Sequence, residues 1–339
     1  MNRSKLASTL MQAWLQRSWL AWLLSPLSLV FWLLLTARVF LYRCGWKKQH
    51  RLPVPVIVVG NIFVGGTGKT PLTLWLLEQL RRAGYRPGVI SRGYGAQHDV
   101  VRIVTDQAQA QDVGDEPILI AQNSGCPVVV GSNRVQAGLT LLANFPEVNV
   151  IVSDDGLQHL ALYRDVEIML FDSRGPGNGW LLPAGPLREP LTRRRDITIV
   201  NLNAGESINA ALPGDTVRMQ LVGSSAVQLM NPALRRSLDR FESGLQIVAA
   251  AGIGNPDRFF AMLRARGLQF SALSLPDHFD FASNPFANLT ADLILITEKD
   301  AVKCRQSKEI AADARIWVVP VEAELEPDLV KRILHLLAV

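Results

Sequence analysis

Val59-Gly-Asn-Ile-Phe-Val-Gly-Gly-Thr-Gly-Lys-Thr70 is the stretch on which the fold turns. It begins inside the β-branched run Val54-Pro-Val-Ile-Val-Val-Gly60, too short for a helix and read as a buried strand. It leads into an apolar-periodic segment from Lys69 to Ala83, and Gly84 stands where a helix stops in the left-handed region. Strand, Gly-rich loop and helix in that order are the context of a P-loop. The loop predicted to bind nucleotide phosphates is Phe63, Val64, Gly65, Gly66, Thr67, Gly68, Lys69 and Thr70. Its backbone N–H groups surround phosphates, and the helix N-terminus adds positive potential. Lys69 would pair with β- and γ-oxygens and the Thr70 hydroxyl would face Mg²⁺. One position departs from the usual pattern: Phe63 stands where a glycine is expected, and the nearest glycine is Gly60. A plain Gly-rich turn does not account for the adjacent Lys-Thr pair.

Outward from this loop, strand-like runs recur at 87–91, 127–130, 148–153, 165–171 and 196–201, several separated by helical stretches. Such alternation predicts an α/β fold of P-loop NTPase type, a mostly parallel sheet with helices on both faces. The rhythm is lost over about 203–243. It resumes with a strand at 245–252, a helix at 256–265, strands at 292–297 and 315–320, and a terminal helix. The expected organisation is an N-terminal hydrophobic helix (1–51), a P-loop core (52–205), a linker (206–244) and a smaller α/β lobe (245–339).

In Val148-Asn-Val-Ile-Val-Ser-Asp-Asp-Gly-Leu-Gln-His159, Asp154 and Asp155 emerge at the carboxyl end of a strand, the ligand-binding edge of an open α/β sheet. A carboxylate there holds Mg²⁺ or its water; a simple Asp-Gly turn needs only one Asp. Asp115 follows a loop and precedes a helix, where an N-cap is the plainer role. His278 is a lone loop histidine of the second unit, and taken alone it reads as structural.

The 339 residues include 35 basic and 30 acidic ones. Eight of the basic residues and none of the acidic ones lie in 1–51, so the rest of the chain is acidic by three. The positive net charge therefore does not describe the body, and a nucleic-acid partner is not expected. Only 19% of residues are charged, which excludes a disordered acidic chain. Three scattered cysteines, with no CxxC pair, exclude a disulfide scaffold and fit a reducing compartment. Residues 18–37 carry no charge, and five of the eight tryptophans fall within the first 46 residues. Twenty helical residues at about 1.5 Å each could cross a bilayer core of about 30 Å. Pro26 interrupts the run, with Ser25 and Ser28 beside it, which favours a helix lying in one leaflet over a full span. A cleaved signal peptide lacks a small-residue cleavage site, and a buried core helix leaves eight cations without counter-charge.

Gly60-Asn61 with the Gly-Gly-Thr-Gly-Lys-Thr-Pro segment, Ser91-Arg-Gly-Tyr-Gly95, Gly114-Asp-Glu-Pro117, Asp154-Asp-Gly-Leu-Gln-His159, Gly177-Asn-Gly-Trp-Leu-Leu-Pro183, Leu187-Arg-Glu-Pro190 and Thr297-Glu-Lys-Asp-Ala-Val-Lys-Cys304 occur in this order. Together they resemble the tetraacyldisaccharide 4′-kinases, the lipid A 4′-kinases of Gram-negative bacteria, over about residues 10–335. The resemblance implies transfer of the ATP γ-phosphate to the 4′-hydroxyl of a tetraacylated glucosamine disaccharide 1-phosphate. It also implies a two-lobed α/β/α structure at the cytoplasmic face of the inner membrane. It places the family's catalytic aspartate on Asp115 and its catalytic histidine on His278, beside Lys69. Thr70, Asp154, Asp155 and Glu189 are then candidates for Mg²⁺. Arg92, Tyr94, His159 and Arg188 are candidates for substrate or phosphate contacts. A monomer is expected. The main rival is a membrane-associated ATPase switch of partition type, which would carry a second lysine early in its loop, where Phe63-Val64 stand. A GTPase would carry Asn-Lys-x-Asp where Thr297-Glu-Lys-Asp300 stands. A scaffold without catalysis would not need the intact Lys69, Thr70, Asp115, Asp154 and His278.

Overall fold

The computed structural model describes residues 12–93, 100–203, 205–208, 212–241 and 244–338. Along the chain the first elements are α1 (Trp19–Arg43), β1 (Val56–Gly60), α2 (Lys69–Arg82), β2 (Pro87–Ser91), β3 (Arg102–Ile103), α3 (Ala110–Val113), α4 (Asp115–Ser124), β4 (Val128–Val130), α5 (Arg134–Asn144), β5 (Val150–Asp154), β6 (Val166–Asp172), β7 (Ile197–Asn201) and β8 (Thr216–Val222). Then come β9 (Ser225–Gln228), β10 (Arg235–Ser237), β11 (Ile247–Ala251), α6 (Pro256–Ala265), β12 (Ser271–Ser274), β13 (Leu293–Thr297), α7 (Glu298–Cys304), α8 (Lys308–Ala311), β14 (Ile316–Val319), β15 (Glu322–Leu325) and α9 (Asp328–Leu337).

β1 is buried throughout because both of its faces are covered. Ile57 and Val59 pack with Leu72, Leu76 and Leu80 of α2 and with Leu329 and Ile333 of α9. Val56 and Val58 pack on the opposite side with Ala137 and Leu141 of α5. Such strands read as continuous apolar runs rather than alternating ones. The large sheet runs β15-β8-β7-β6-β1-β5-β2-β4-β3, parallel except at its two edge pairs. Its register sets Val59 beside Asp154 and Ile90 beside Ser153, so β1, β2 and β5 all end at one edge. The mostly parallel sheet with helices on both faces is as expected.

The second sheet, β10-β9-β14-β13-β11-β12, has its own apolar core around Phe259, Phe260 and Trp317. β8 lies within the stretch read as linker, yet it pairs with β7 in the large sheet. β15 and α9 also return to the large sheet and its core. The smaller lobe is thus inserted between β8 and β15 and joined by two short connections, at 223–224 and 320–321. β15 escapes a sequence reading because Glu-Ala-Glu-Leu is short and poor in strand formers.

α1 is continuous through Pro26. The missing proline N–H would have served the Trp22 carbonyl; the Ser25 hydroxyl donates to that carbonyl instead, at 2.8 Å. Ala21 and Ser28 are the buried residues of α1. Ser28 Oγ donates to Leu181 O (2.8 Å) and accepts from Ala184 N (2.9 Å). Further along, Arg38 donates to Gln158 O (3.0 Å). Trp19, Leu23, Leu27 and Leu34 point away from the body.

Candidate active site

Two left-handed glycines, Gly65 (φ 111°) and Gly68 (φ 96°), shape the loop after β1. A Cβ on Gly68 would lie 2.4 Å from the Asn201 amide nitrogen. That amide donates to Thr67 O (2.9 Å) and its oxygen accepts from Arg258 (2.6 Å). Asn61 donates to Gly65 O and to Thr67 Oγ1, both at 3.1 Å. Lys69 Nζ donates to Asn61 Oδ1 (3.3 Å) and lies 3.6 Å from Asp155. Arg188 reaches the same two groups, at 2.7 Å to Asn61 and 3.7 Å to Asp155. The Phe63 departure has a packing reason. Its buried ring carries the Arg174 guanidinium at 4.4 Å, and Arg174 donates to Gly66 O (3.0 Å).

Asp154 is buried at the end of β5 and accepts from Thr73 Oγ1 (3.3 Å) and Ser91 Oγ (3.4 Å). Burial, with Glu116 and Asp155 nearby, pushes its carboxyl up to about 7 against the pull of Lys69 and Arg134. Beside it, Asp155 Oδ1 is buried with no hydrogen-bond partner. Among the described residues no group of three or more His, Cys, Asp or Glu side chains could hold a metal alone. One or two carboxylates with an open oxygen suit Mg²⁺ delivered with phosphates, and Asp154 and Asp155 fit that description. Glu189 lies nearby, its oxygens accepting from Arg193 and from Gln158 (3.0 Å).

Asp115 is the first residue of α4, not its cap; Gly114 precedes it with φ 88°. Its Oδ1 accepts from the Glu116 amide (3.0 Å). Its Oδ2 lies 3.1 Å from His278 Nδ1 and 3.0 Å from Lys303 Nζ, both contributed by the smaller lobe. Burial alone would raise the Asp115 carboxyl. The His278 hydrogen bond and the Lys299 and Lys303 charges outweigh it and hold it well below the ordinary carboxylate range. His278 sits in the left-handed region (φ 57°), and its amide donates to Gly252 O (3.1 Å).

His159 is lowered to about 4 by burial and by Arg134, Arg164, Arg38 and Arg92. Arg92 is exposed at the end of β2. Between the lobes, beside Gly66–Pro71, lies an apolar cleft walled by Leu74, Leu221, Ile253, Phe259, Met262 and Val319.

The family model described as tetraacyldisaccharide-1-P 4′-kinase, LpxK, matches residues 20–338. The chain belongs to the tetraacyldisaccharide 4′-kinase family. The tetraacyldisaccharide 4′-kinase of Janthinobacterium sp. (strain Marseille) is 57% identical over 340 residues, covering 99% of this chain and 97% of that protein. That of Herminiimonas arsenicoxydans is 56% identical over 347 residues, with the same coverage. The crystal structure of LpxK from Aquifex aeolicus in complex with ATP superposes with a TM-score of 0.77 at 29% identity, covering 94% of this chain and 99% of that one. This kinase is therefore an ATP-dependent enzyme that phosphorylates the 4′-hydroxyl of tetraacyldisaccharide 1-phosphate in lipid A biosynthesis. Its substrate is a lipid, and the apolar helix α1 accords with anchoring at the inner membrane.

The structure gathers the expected loop residues Phe63–Thr70 with Asp155 and Arg188, and it pairs Asp115 with His278. Tyr94 lies outside the described residues. Residues not singled out from the sequence also reach the site: Arg174, Asn201 and Arg258 at the loop, Arg134 beside Asp154 and Lys303 at Asp115. For Asn201 and Arg134 a signal existed, since both stand just past or at the carboxyl end of a strand, on the ligand-binding edge.

Proposed function

We propose that Asp115 is the proton acceptor for the sugar 4′-hydroxyl and that His278 orients it. The observation that carries this assignment is the 3.1 Å pair between them, made across the two lobes, where their neighbours Glu116 and Lys299 line the cleft beside the phosphate loop. A carboxylate in reach of the hydroxyl serves phosphoryl transfer in kinases generally. The depressed Asp115 carboxyl stays ionised at neutral pH and so stands ready to accept. Lys69 and the N–H groups of Gly65–Thr70 would hold the ATP phosphates, where electrostatic stabilisation counts most. The apolar cleft above them would take the base. Thr70 and Asp154, with Asp155, would hold Mg²⁺, which when bound neutralises phosphate charge. Arg188 would contact the transferring phosphate. Arg92, Arg134 and the neutral His159 would face the anionic 1-phosphate, a role in which Tyr94 is also placed.

We assign α1 to the cytoplasmic leaflet, lying in it rather than spanning it. Contacts to the body at Ser28 and again at Arg38, about one and a half helical turns short of its end, support this. A span would need about 20 residues clear of protein. Arg38 reaches the His159 segment, so the acyl chains would remain beside the lipid-facing side of α1. The charge distribution argues against a nucleic-acid partner, and we take the enzyme to act as a monomer. The test is transfer of labelled γ-phosphate from ATP to the tetraacyldisaccharide 1-phosphate by purified wild-type and Asp115→Asn protein. Equal rates would remove Asp115 from the assignment.

A further inference from the structure

The motif Thr297-Glu-Lys-Asp-Ala-Val-Lys-Cys304 forms α7 with its N-cap and packs against α4, which begins at Asp115. Its start is fixed from within. Thr297 caps the helix by accepting from Asp300 N (3.2 Å), and its hydroxyl donates to Asp300 Oδ2 (2.7 Å). Asp300 in turn accepts from Gly252 N, the residue whose carbonyl holds the His278 backbone. Val302 packs among Val113, Ile118 and Leu119 of the large lobe. The α7 backbone is thereby tied to both lobes.

Two lysines of α7 face the proposed proton acceptor. Lys303 Nζ lies 3.0 Å from Asp115 Oδ2 and donates to Phe279 O (3.1 Å). Lys299 Nζ donates to Glu116 Oε1 (3.0 Å) and lies 3.3 Å from His278 Nε2, with Asp277 at 3.9 Å. An ammonium group has donors only. Its approach to Nε2 makes that nitrogen the acceptor, so the ring proton sits on Nδ1 and is donated to Asp115. Oδ2 is then occupied by Lys303 and His278. Oδ1 holds the Glu116 amide and keeps the lone pair that a hydroxyl would need. Resting on the assignment of Asp115 as proton acceptor, we propose that Lys303 and Lys299 are positioning residues of the reaction: Lys303 keeps Asp115 an oriented carboxylate and Lys299 keeps His278 in its Nδ1–H form.

The groups that face Asp115 are the Glu116 amide on its own helix, Lys299 and Lys303 on α7, and His278 with the neighbouring Asp277 on the preceding loop. Burial would lower the Lys299 ammonium, but Glu116, Asp115 and Asp277 outweigh it and push it up to about 12, so Lys299 stays charged through any practical assay. Without the two ammonium groups, burial acts on Asp115 opposed by His278 and the Glu116 amide.

The test uses the full-length enzyme in detergent–lipid micelles with ATP and the tetraacyldisaccharide 1-phosphate. Lys299→Met/Lys303→Met should lower kcat at neutral pH at least ~10-fold, with KM for ATP within about twofold. It should also bring an acid limb of kcat at higher pH than in wild type, falling about tenfold per pH unit below it. Lys299→Arg/Lys303→Arg should restore most of kcat and remove that limb. A folded Met variant with wild-type kcat and no new limb overturns the proposal, because a staple between α4 and α7 would change melting alone. Asp115→Asn separates the two assignments: if it turns over like wild type, the base assignment fails whatever the lysine variants do. If the double variant does not fold, Lys299→Met alone is examined with ¹⁵N-labelled histidine. Loss of the Nδ1–H signature at His278 supports the proposal, and an unchanged tautomer overturns it.

Discussion

Three lysines placed on the outer side of α1 should release the enzyme from lipid while leaving its nucleotide chemistry intact. Leu23, Leu27 and Leu34 are 66%, 58% and 65% exposed, and the body does not need them for packing. A fully buried leucine contributes about 1.5–3 kcal/mol relative to water. Scaled to roughly the exposed 60%, each would contribute about 1–2 kcal/mol on entering the acyl region. The three together amount to about 3–6 kcal/mol, or about 10²–10⁴ in partition coefficient. The assay is flotation of Leu23→Lys/Leu27→Lys/Leu34→Lys with vesicles at high salt, where headgroup attraction to the eight N-terminal cations is screened. Wild type should float and the variant should stay at the bottom, with ATP binding unchanged. Lipid phosphorylation should fall with the partition. If the variant floats like wild type at high salt, the outer side of α1 is not the lipid contact and the leaflet placement is wrong.

At the phosphates, Lys69→Ala and Thr70→Ala should each reduce turnover to background in protein with a wild-type melting profile; normal turnover in either would exclude the loop from the reaction. Asp115→Asn and His278→Ala should each lower kcat by about 10²–10⁴ with little change in KM for ATP. If the two act as one unit the double variant should be hardly worse than the poorer single one, whereas multiplicative losses would show independent action. Asp115 should also give a pH signature in stability. Its folded pKa lies below the unfolded value of about 3.9, so its stabilising contribution is present above that pH and is lost as pH falls through the folded value. Acid unfolding of Asp115→Asn should therefore begin from a lower plateau and slope less below pH 4; identical acid limbs for the two proteins would refute the pairing. Finally, a Cβ on Gly254 would lie 2.7 Å from Gly66 N. Gly254→Ala should push the smaller lobe off the phosphate loop and lower kcat at least ~10-fold in folded protein, and unchanged kcat would show that the lobes need not meet there.

The central strand and its neighbours were legible because parallel strands covered on both faces leave unbroken apolar runs, as at Val56–Gly60 and Val150–Asp154. The phosphate loop was legible because its chemistry is local: the glycines, Lys69 and Thr70 act within one turn of chain. What could not be read is what depends on distant chain. β8 is placed by its pairing with β7 and β15, and β15 by its pairing with β8. Asn201 is one amide among many until β7 sets it against Gly68. Asp115 and His278 are 163 residues apart, and neither carries a local pattern that separates catalysis from capping; only the resemblance singled them out. Lys299 and Lys303 were quoted within a motif, but helical spacing alone does not say which neighbour a lysine meets.

The insertion of the smaller lobe between β8 and β15 bears on how such a site would avoid wasting ATP. Asp115 belongs to the large lobe, with the phosphate loop, whereas His278, Lys299 and Lys303 arrive with the inserted lobe through two short connections. Only when the lobes are apposed does the carboxylate acquire both its charge partners and its orienting histidine. Gly66 against Gly254 puts the lobes in backbone contact at the same junction, with no side chain between them. Within the apposed lobes burial alone would raise the Asp115 carboxyl, and the His278 hydrogen bond with the Lys299 and Lys303 charges outweighs it. On the proposed assignment, the orientation of Asp115 would depend on lobe contact as well as on nucleotide binding by the large lobe. The chemical step would then follow apposition of the lobes around the sugar of the lipid, an order that limits ATP hydrolysis without acceptor.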